Sequence, residues 1–108
     1  MENLITATTY GHWAVNKSER EHLSRVAALG CMVCRRLHGP HDPGTVEIHH
    51  KRDGTGAGRR ASHFDAFGLC VEHHRGNSGV HGLGTKGFVK HYGFDEADLL
   101  QDVRDLLD

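Results

Sequence analysis

The apolar and polar positions of residues 18–30 follow the period of an amphipathic helix. The apolar residues of this face are Leu23, Val26 and Leu29. Ser18, with Glu21 three positions later, is typical of a capping box, and Gly30 suits the left-handed conformation that ends many helices. The pattern predicts a helix that begins at Ser18 and packs against the core.

Residues 95–108 carry a second amphipathic pattern, with Asp95 as the predicted N-cap. The residues of its inward face are Leu99, Leu100, Val103, Leu106 and Leu107. A shorter helix is predicted over Thr85–Tyr92, where Gly93 ends it. The C-terminal part of the chain is therefore predicted to be helical.

Two short strand patterns lie between these helices. Thr45–His50 contains several β-branched residues, and Ala66–Leu69 is a brief apolar run. Cys70 then opens a helical turn over Val71–Arg75. Two strands followed by a helix, with further helices on either side, predict an α+β fold.

Two loops are marked by glycine and proline. Arg35–Gly44 contains both prolines of the chain, and Lys51–Ser62 is rich in glycine and basic residues. The second loop has alternating glycines but lacks the spacing of a nucleotide-binding phosphate loop. It is either a plain connection or a basic loop that contacts a phosphate backbone.

The length of 108 residues is that of one domain. We expect an N-terminal arm over residues 1–17 and a zinc-stabilised domain over residues 18–108. Tyr10 and Trp13 of the arm either pack on the domain or stack on a base. Because only 37% of the residues are apolar and 14 are glycine, the core is thin and a bound metal would stabilise it.

The chain shows no secretory signal pattern and no apolar stretch long enough to cross a membrane. Three cysteines are an odd number, which argues against a framework of disulfides. We expect a cytoplasmic protein with reduced cysteines and no membrane partner.

The net charge of −1 conceals an uneven distribution. Residues 95–108 hold six acidic residues and one arginine, which leaves a charge of +4 on residues 1–94. The basic residues of the second loop are Lys51, Arg52, Arg59 and Arg60. A local basic loop favours a nucleic-acid backbone, so these four side chains are candidate DNA contacts.

The cysteines have the spacing of a structural zinc site. Cys31 and Cys34 form one pair separated by two residues, and Cys70 and His73 form another. Zinc favours four thiolate and imidazole ligands in a tetrahedron, and such pairs aim two ligands at one point. This Cys₃His set uses every cysteine of the chain, whereas the alternative is three ordinary buried thiols.

Four further histidines need a role: His49, His50, His74 and His81. Neighbours on a strand point to opposite faces, so His49 and His50 cannot both bind one metal. His73 and His74 diverge by about 100° on a helix, so that one can face the zinc and the other a second metal. His81 is either a third ligand of that metal or a surface residue. The remaining histidines, which we regard as ordinary, are His12, His22, His38, His41 and His91.

This arrangement resembles the HNH, or ββα-metal, nuclease superfamily. The resemblance implies that His49 binds the catalytic metal, that His50 is the general base and that His74 is the metal ligand on the helix. Asp65 stands where the superfamily has an asparagine, and His63 competes with it for the role of orienting His50. The fold that this resemblance implies is a small HNH-like core with a structural zinc and flanking helices.

Three longer stretches resemble the phage Ref-type RecA-dependent nucleases: HLSRVAALGCMVCRRL, EIHHKRDGTGAGRRASH and LCVEHHRGNSGVHGLGTKGFVKHYG. Together they run from His22 to Gly93. The resemblance implies a phage or prophage recombination protein of the bacterial cytoplasm. Its expected partners are a RecA filament and DNA, either single-stranded or in a D-loop, and we expect the protein itself to be a monomer.

The chemistry expected is phosphodiester hydrolysis in which His50 takes a proton from water. His49, His74 and His81 would hold the catalytic ion, with Mg²⁺ or Mn²⁺ supporting turnover although an all-histidine site also suits Zn²⁺. Asp65 or His63 would orient His50. Two other classes stay open: a zinc-stabilised nucleic-acid-binding module without catalysis, and an adaptor that recruits a recombinase through its acidic last helix.

Overall fold

The structure is a computed structural model that describes residues 15–40, 44–51 and 62–108. These residues form five helices and two strands. The elements, in chain order, are α1 (Lys17–Ala28), α2 (Met32–His38), β1 (Glu47–His50), β2 (Ala66–Leu69), α3 (Val71–Arg75), α4 (Val80–Tyr92) and α5 (Glu96–Leu107). The architecture is a small α+β fold, as the sequence predicted.

The two strands pair antiparallel, with His49 opposite Phe67 and His50 opposite Ala66. A backbone hydrogen bond of 2.8 Å from Lys51 N to Asp65 O continues the pairing by one residue. All four residues of β2 are buried. The strand β2 has the predicted bounds, whereas β1 begins at Glu47, two residues later than predicted.

The helix α1 begins at Lys17, and its cap differs from the predicted one. The Asn16 side chain accepts from Glu19 N at 2.8 Å, and the Glu19 carboxylate accepts from Asn16 N at 3.0 Å. The capping box predicted at Ser18 and Glu21 is therefore wrong by two residues. Gly30 does take the left-handed conformation, with φ of 82°.

Two helical segments extend beyond the predictions. Residues 35–38, predicted as loop, belong to α2, whose N-cap is Cys31. The helix α4 begins at Val80, five residues before the predicted start, and a kink at Gly84 (φ 75°) divides it. His81 consequently lies in the first turn of α4 rather than in a glycine-rich loop.

The core lies between the sheet and the helices α1, α2, α4 and α5. Its buried apolar side chains include Leu23, Val26, Met32, Phe67, Leu69, Phe88, Leu99 and Val103. Leu106, predicted to face inward, is 47% exposed. In the described part of the chain, no helix is long and apolar enough to cross a membrane.

Candidate metal centres

A group of three cysteines and one histidine joins the N-terminal end of α2 to the start of α3. The distances from His73 Nδ1 to the Sγ atoms of Cys31, Cys34 and Cys70 are 3.5, 3.3 and 3.3 Å. Cys34 Sγ lies 4.0 Å from Cys70 Sγ. The predicted Cys₃His set is therefore assembled from residues about 40 positions apart.

These distances fit a tetrahedral zinc site. With Zn–S near 2.3 Å and Zn–N near 2.0 Å, the S–N and S–S edges of a Cys₃His tetrahedron are roughly 3.5 and 3.8 Å, and the observed distances lie within a few tenths of an ångström of these values. Cys31 is the N-cap of α2, where its Sγ accepts from Cys34 N at 3.4 Å, and Cys70 is the N-cap of α3, where its carbonyl oxygen accepts from His74 N at 2.9 Å. The donor set and its spacing suit Zn²⁺.

The electrostatics of this group also favour a bound cation. Burial raises the pKa of the Cys31 thiol. Burial and the neighbouring Cys31 and Cys70 raise the pKa of Cys34 to about 12. Three thiolates this close repel one another, so they ionise together only when a positive ion offsets their charge.

A second group is formed by His49 on β1, His74 on α3 and His81 on α4. Each offers a ring nitrogen, and these atoms lie within 4.8 Å of one another. The Nε2 atoms of His74 and His81 are 3.2 Å apart, and the ring centroids of His49 and His81 are 5.3 Å apart. The structure thus brings together the three residues predicted to bind the catalytic ion, and three imidazoles at this spacing can hold one divalent metal ion.

Two of these histidines are within hydrogen-bond distance of carboxylates. His49 Nε2 lies 2.9 Å from Glu96 Oε1, where both side chains are 3% exposed. His74 Nδ1 lies 2.6 Å from Glu47 Oε1, and Arg75 also binds the Glu47 carboxylate. Burial lowers the pKa of His74, although the Glu47 carboxylate opposes this effect.

His50 faces a different set of residues from its neighbour His49. Its Nε2 lies 3.0 Å from His63 Nδ1, and the two rings are in edge contact with centroids 5.1 Å apart. Burial, with His63 and His49 as smaller causes, lowers the pKa of His50 to about 4. The His50 ring is therefore neutral at pH 7, as a proton acceptor must be.

The two candidates for orienting His50 occupy different positions. His63 is 6% exposed and contacts the His50 ring. The Asp65 carboxylate accepts from Arg104 Nη2 at 2.9 Å across the exposed surface. Of these two, His63 is the residue that the structure places at hydrogen-bond distance from His50.

Lys51, the first of the predicted DNA contacts, directly follows His50 and is half-buried. Arg52, Arg59 and Arg60 lie outside the described residues, as do Tyr10 and Trp13.

Sequence reasoning missed Glu47 and Glu96. Glu47 precedes His49 by two positions on a strand, so alternation alone places both side chains on one face. Glu96 had no such signal, because it stands in an acidic run and meets a residue 47 positions away.

A ββα unit with a Cys₃His group and a three-histidine group defines a small α+β protein with two candidate metal centres. The model of the family described as "Recombination enhancement, RecA-dependent nuclease" matches residues 15–108. The chain therefore belongs to this family of RecA-dependent nucleases. No curated protein and no solved structure gives a significant match to the chain.

Proposed function

We propose that this chain is a metal-dependent DNA endonuclease with His50 as its general base. The observation that carries the proposal is the three-histidine group of His49, His74 and His81, with a neutral His50 directly after His49 on β1. The order of β1, β2 and α3, with ligands on the first strand and the helix, supports a relation to the HNH superfamily.

The proposed roles follow from the positions of the ring nitrogens. His50 accepts a proton from the attacking water at Nδ1, which requires that its Nε2 carry hydrogen and donate it to His63 Nδ1. A neighbouring phosphate raises the pKa of His50 again and makes it a stronger base when DNA is bound. His63 is accordingly the proposed orienting residue, in preference to Asp65.

His49, His74 and His81 would hold a divalent ion, whose charge offsets the negative charge that develops on the phosphate and the leaving oxygen. We propose Mg²⁺ or Mn²⁺ for turnover, and Zn²⁺ for the Cys₃His site. Hydrolysis in this geometry leaves a 5′ phosphate and a 3′ hydroxyl if the HNH relation is correct.

The proposed substrate is single-stranded or D-loop DNA within a RecA filament, and the proposed setting is phage or prophage recombination in the bacterial cytoplasm. Family membership supports the connection to RecA and recombination. Lys51, Arg52, Arg59 and Arg60 are the proposed contacts with the DNA backbone.

The test is cleavage of single-stranded and D-loop DNA with Mg²⁺ or Mn²⁺, with and without RecA, by the wild type, His50→Ala and His91→Ala. His91 is an exposed histidine on α4 and serves as the matched control. Loss of a general base lowers the rate by about 10²–10⁴-fold. We expect that loss in His50→Ala alone, with zinc content and melting temperature retained.

Two results would contradict the proposal. Equal cleavage by His50→Ala and wild type would exclude His50 as the base. A wild-type protein that binds DNA but cuts none of these substrates would instead support the non-catalytic binding module.

A further inference from the structure

We propose that Glu96 is a positioning residue for the three-histidine centre and that it acts through His49. This inference rests on the proposed function, because it concerns how His49 is presented to the ion. It also assigns the last helix, α5, a part in building the centre in addition to its part in the core.

Glu96 is the first residue of α5 and is unusually buried for a carboxylate, at 2% exposed. Its position is set by the cap that precedes it. The Asp95 side chain accepts from Asp98 N at 2.8 Å, and the Asp98 carboxylate accepts from Asp95 N at 3.0 Å. The backbone on which Glu96 stands is thus held at its N-terminal end.

The contact with His49 determines which nitrogen that ring can offer. An ionised carboxylate only accepts hydrogen bonds, so at 2.9 Å from an ionised Glu96 Oε1 the Nε2 atom of His49 carries the hydrogen. The lone pair of the neutral ring then lies on Nδ1. Glu96 therefore selects Nδ1 as the ligand atom and restrains the ring through its hydrogen bond.

Glu96 is not itself part of the ligand set. Among residues 15–40, 44–51 and 62–108, the group at this centre whose donor atoms all lie within 4.8 Å of one another is His49, His74 and His81. Glu47 makes the corresponding contact with His74, but from the same strand that carries His49. Glu96 differs because it reaches the centre from the far end of the chain, and it joins α5 to β1 through a buried contact.

The experiment measures uptake of a second Zn²⁺ by protein whose Cys₃His site already holds zinc, using calorimetry. The variants are Glu96→Leu, which cannot accept a hydrogen bond, and Glu96→Gln, whose carbonyl can. Removing such a contact weakens metal binding by about 10–100-fold. We expect that loss in Glu96→Leu, and an affinity within a few-fold of wild type in Glu96→Gln.

Asp105→Leu is the matched control, since Asp105 is an exposed acid on the same helix. It should bind the second Zn²⁺ as the wild type does. Nitrogen-15 NMR of the His49 ring provides a second measurement: in the loaded wild type, Nδ1 should be bound to metal and Nε2 protonated.

Three results would overturn the inference: unchanged affinity in Glu96→Leu, an equal loss in the Leu and Gln variants, or metal bound at His49 Nε2. An equal loss in the two variants would mean that the charge of Glu96, and not its hydrogen bond to the His49 ring, determines the affinity for the second Zn²⁺. If the wild type itself takes up only one Zn²⁺, the three-histidine centre of the proposed function fails, which is a distinguishable outcome.

Discussion

His50 links the folding of the protein to pH. Its pKa is about 4 in the folded protein against an ordinary value of 6.5. Between these two values the unfolded chain holds a proton on His50 that the folded chain does not hold. The free energy of unfolding therefore decreases as the pH falls from 6.5 toward 4, and His50 contributes up to about 1.4 kcal/mol per pH unit to this decrease. Above pH 6.5 the protonation of His50 no longer changes the free energy of unfolding.

The measurement is urea unfolding of zinc-saturated protein at several pH values between 7.5 and 5. His50→Gln should show a shallower pH dependence than the wild type, because the substituted side chain does not titrate. His91→Gln, which replaces an exposed histidine, should retain the wild-type dependence. If the free energies of unfolding of the wild type and His50→Gln changed in parallel with pH, the lowered pKa of His50 would be refuted.

At the residue scale, the metal ligands could be predicted because their spacing follows local geometry. A pair separated by two residues, or two neighbours on a helix, has a defined direction before any tertiary contact forms. The partners of those ligands could not be predicted in the same way. Glu96 meets His49, and Asp65 meets Arg104, only because distant segments pack together.

At the scale of single elements, the start of α1 can be tested with two substitutions. Asn16→Ala removes the side chain that accepts from Glu19 N, whereas Ser18 lies within the first turn. We expect Asn16→Ala to lower the free energy of unfolding by about 1 kcal/mol. Ser18→Ala should change it by no more than a few tenths, since it removes no cap. Chemical denaturation compares the two, and a larger effect at Ser18 would restore the capping box predicted from sequence.

Close packing of α4 against the chain that follows α3 depends on Gly82. A Cβ atom added there would overlap the carbonyl oxygen of Gly76, which is backbone and cannot move aside cheaply. Gly82→Ala should therefore displace the first turn of α4, which carries His81. We expect weaker Zn²⁺ binding by the three-histidine group, with the Cys₃His zinc retained; calorimetry and zinc analysis measure both.

Gly87→Ala is the control for that substitution, because among the described residues its Cβ would meet only the Leu83 side chain, at 3.4 Å. Removing a glycine from a helix typically stabilises by about 0.4–1 kcal/mol where the space allows. Unchanged metal binding in both variants would mean that His81 is not a ligand.

The sequence predicted the elements that have clear boundaries and missed those that do not. The strand β2 and the helix α3 were predicted because Gly, Cys and an apolar run mark their limits. The helical residues 35–38 were missed because RRLH has no apolar period of its own. The early start of α4 was missed because its glycines normally disfavour a helix.

At the scale of the whole molecule, the Cys₃His group connects distant segments of the chain outside the apolar core. It joins the segment after α1 to the segment after β2. Cys34→Ser, or a chelator strong enough to remove the zinc, should lower the melting temperature by about 10 °C or more, since metal binding contributes directly to folding. Circular dichroism with parallel zinc analysis measures this effect. A chelator that empties only the three-histidine site should leave the melting temperature nearly unchanged, and equal effects would contradict the division of roles.

The acidic helix α5, through which an adaptor would recruit a recombinase, is also part of the core of the domain. Asp102 pairs with Arg36 at 2.7 Å, Asp95 and Asp98 cap the helix, and Glu96 is buried. Deleting residues 95–108 would remove Leu99, Leu100 and Val103 from the core together with the partner of His49. Recruitment of a recombinase is therefore better tested by substituting exposed acids such as Asp105 than by truncation.

The helix α3 has only five residues, and it places His73 in one metal group and His74 in the other. Each added or deleted residue between Cys70 and His74 would rotate the helix by about 100° and misdirect both histidines at once. Substitutions at the exposed positions Val71, Glu72 and Arg75 do not change the length of the helix, so they do not rotate His73 and His74 in this way. Over evolution, the length of this segment should therefore be more constrained than its composition, and a relative that has gained or lost one residue here should have lost both centres together.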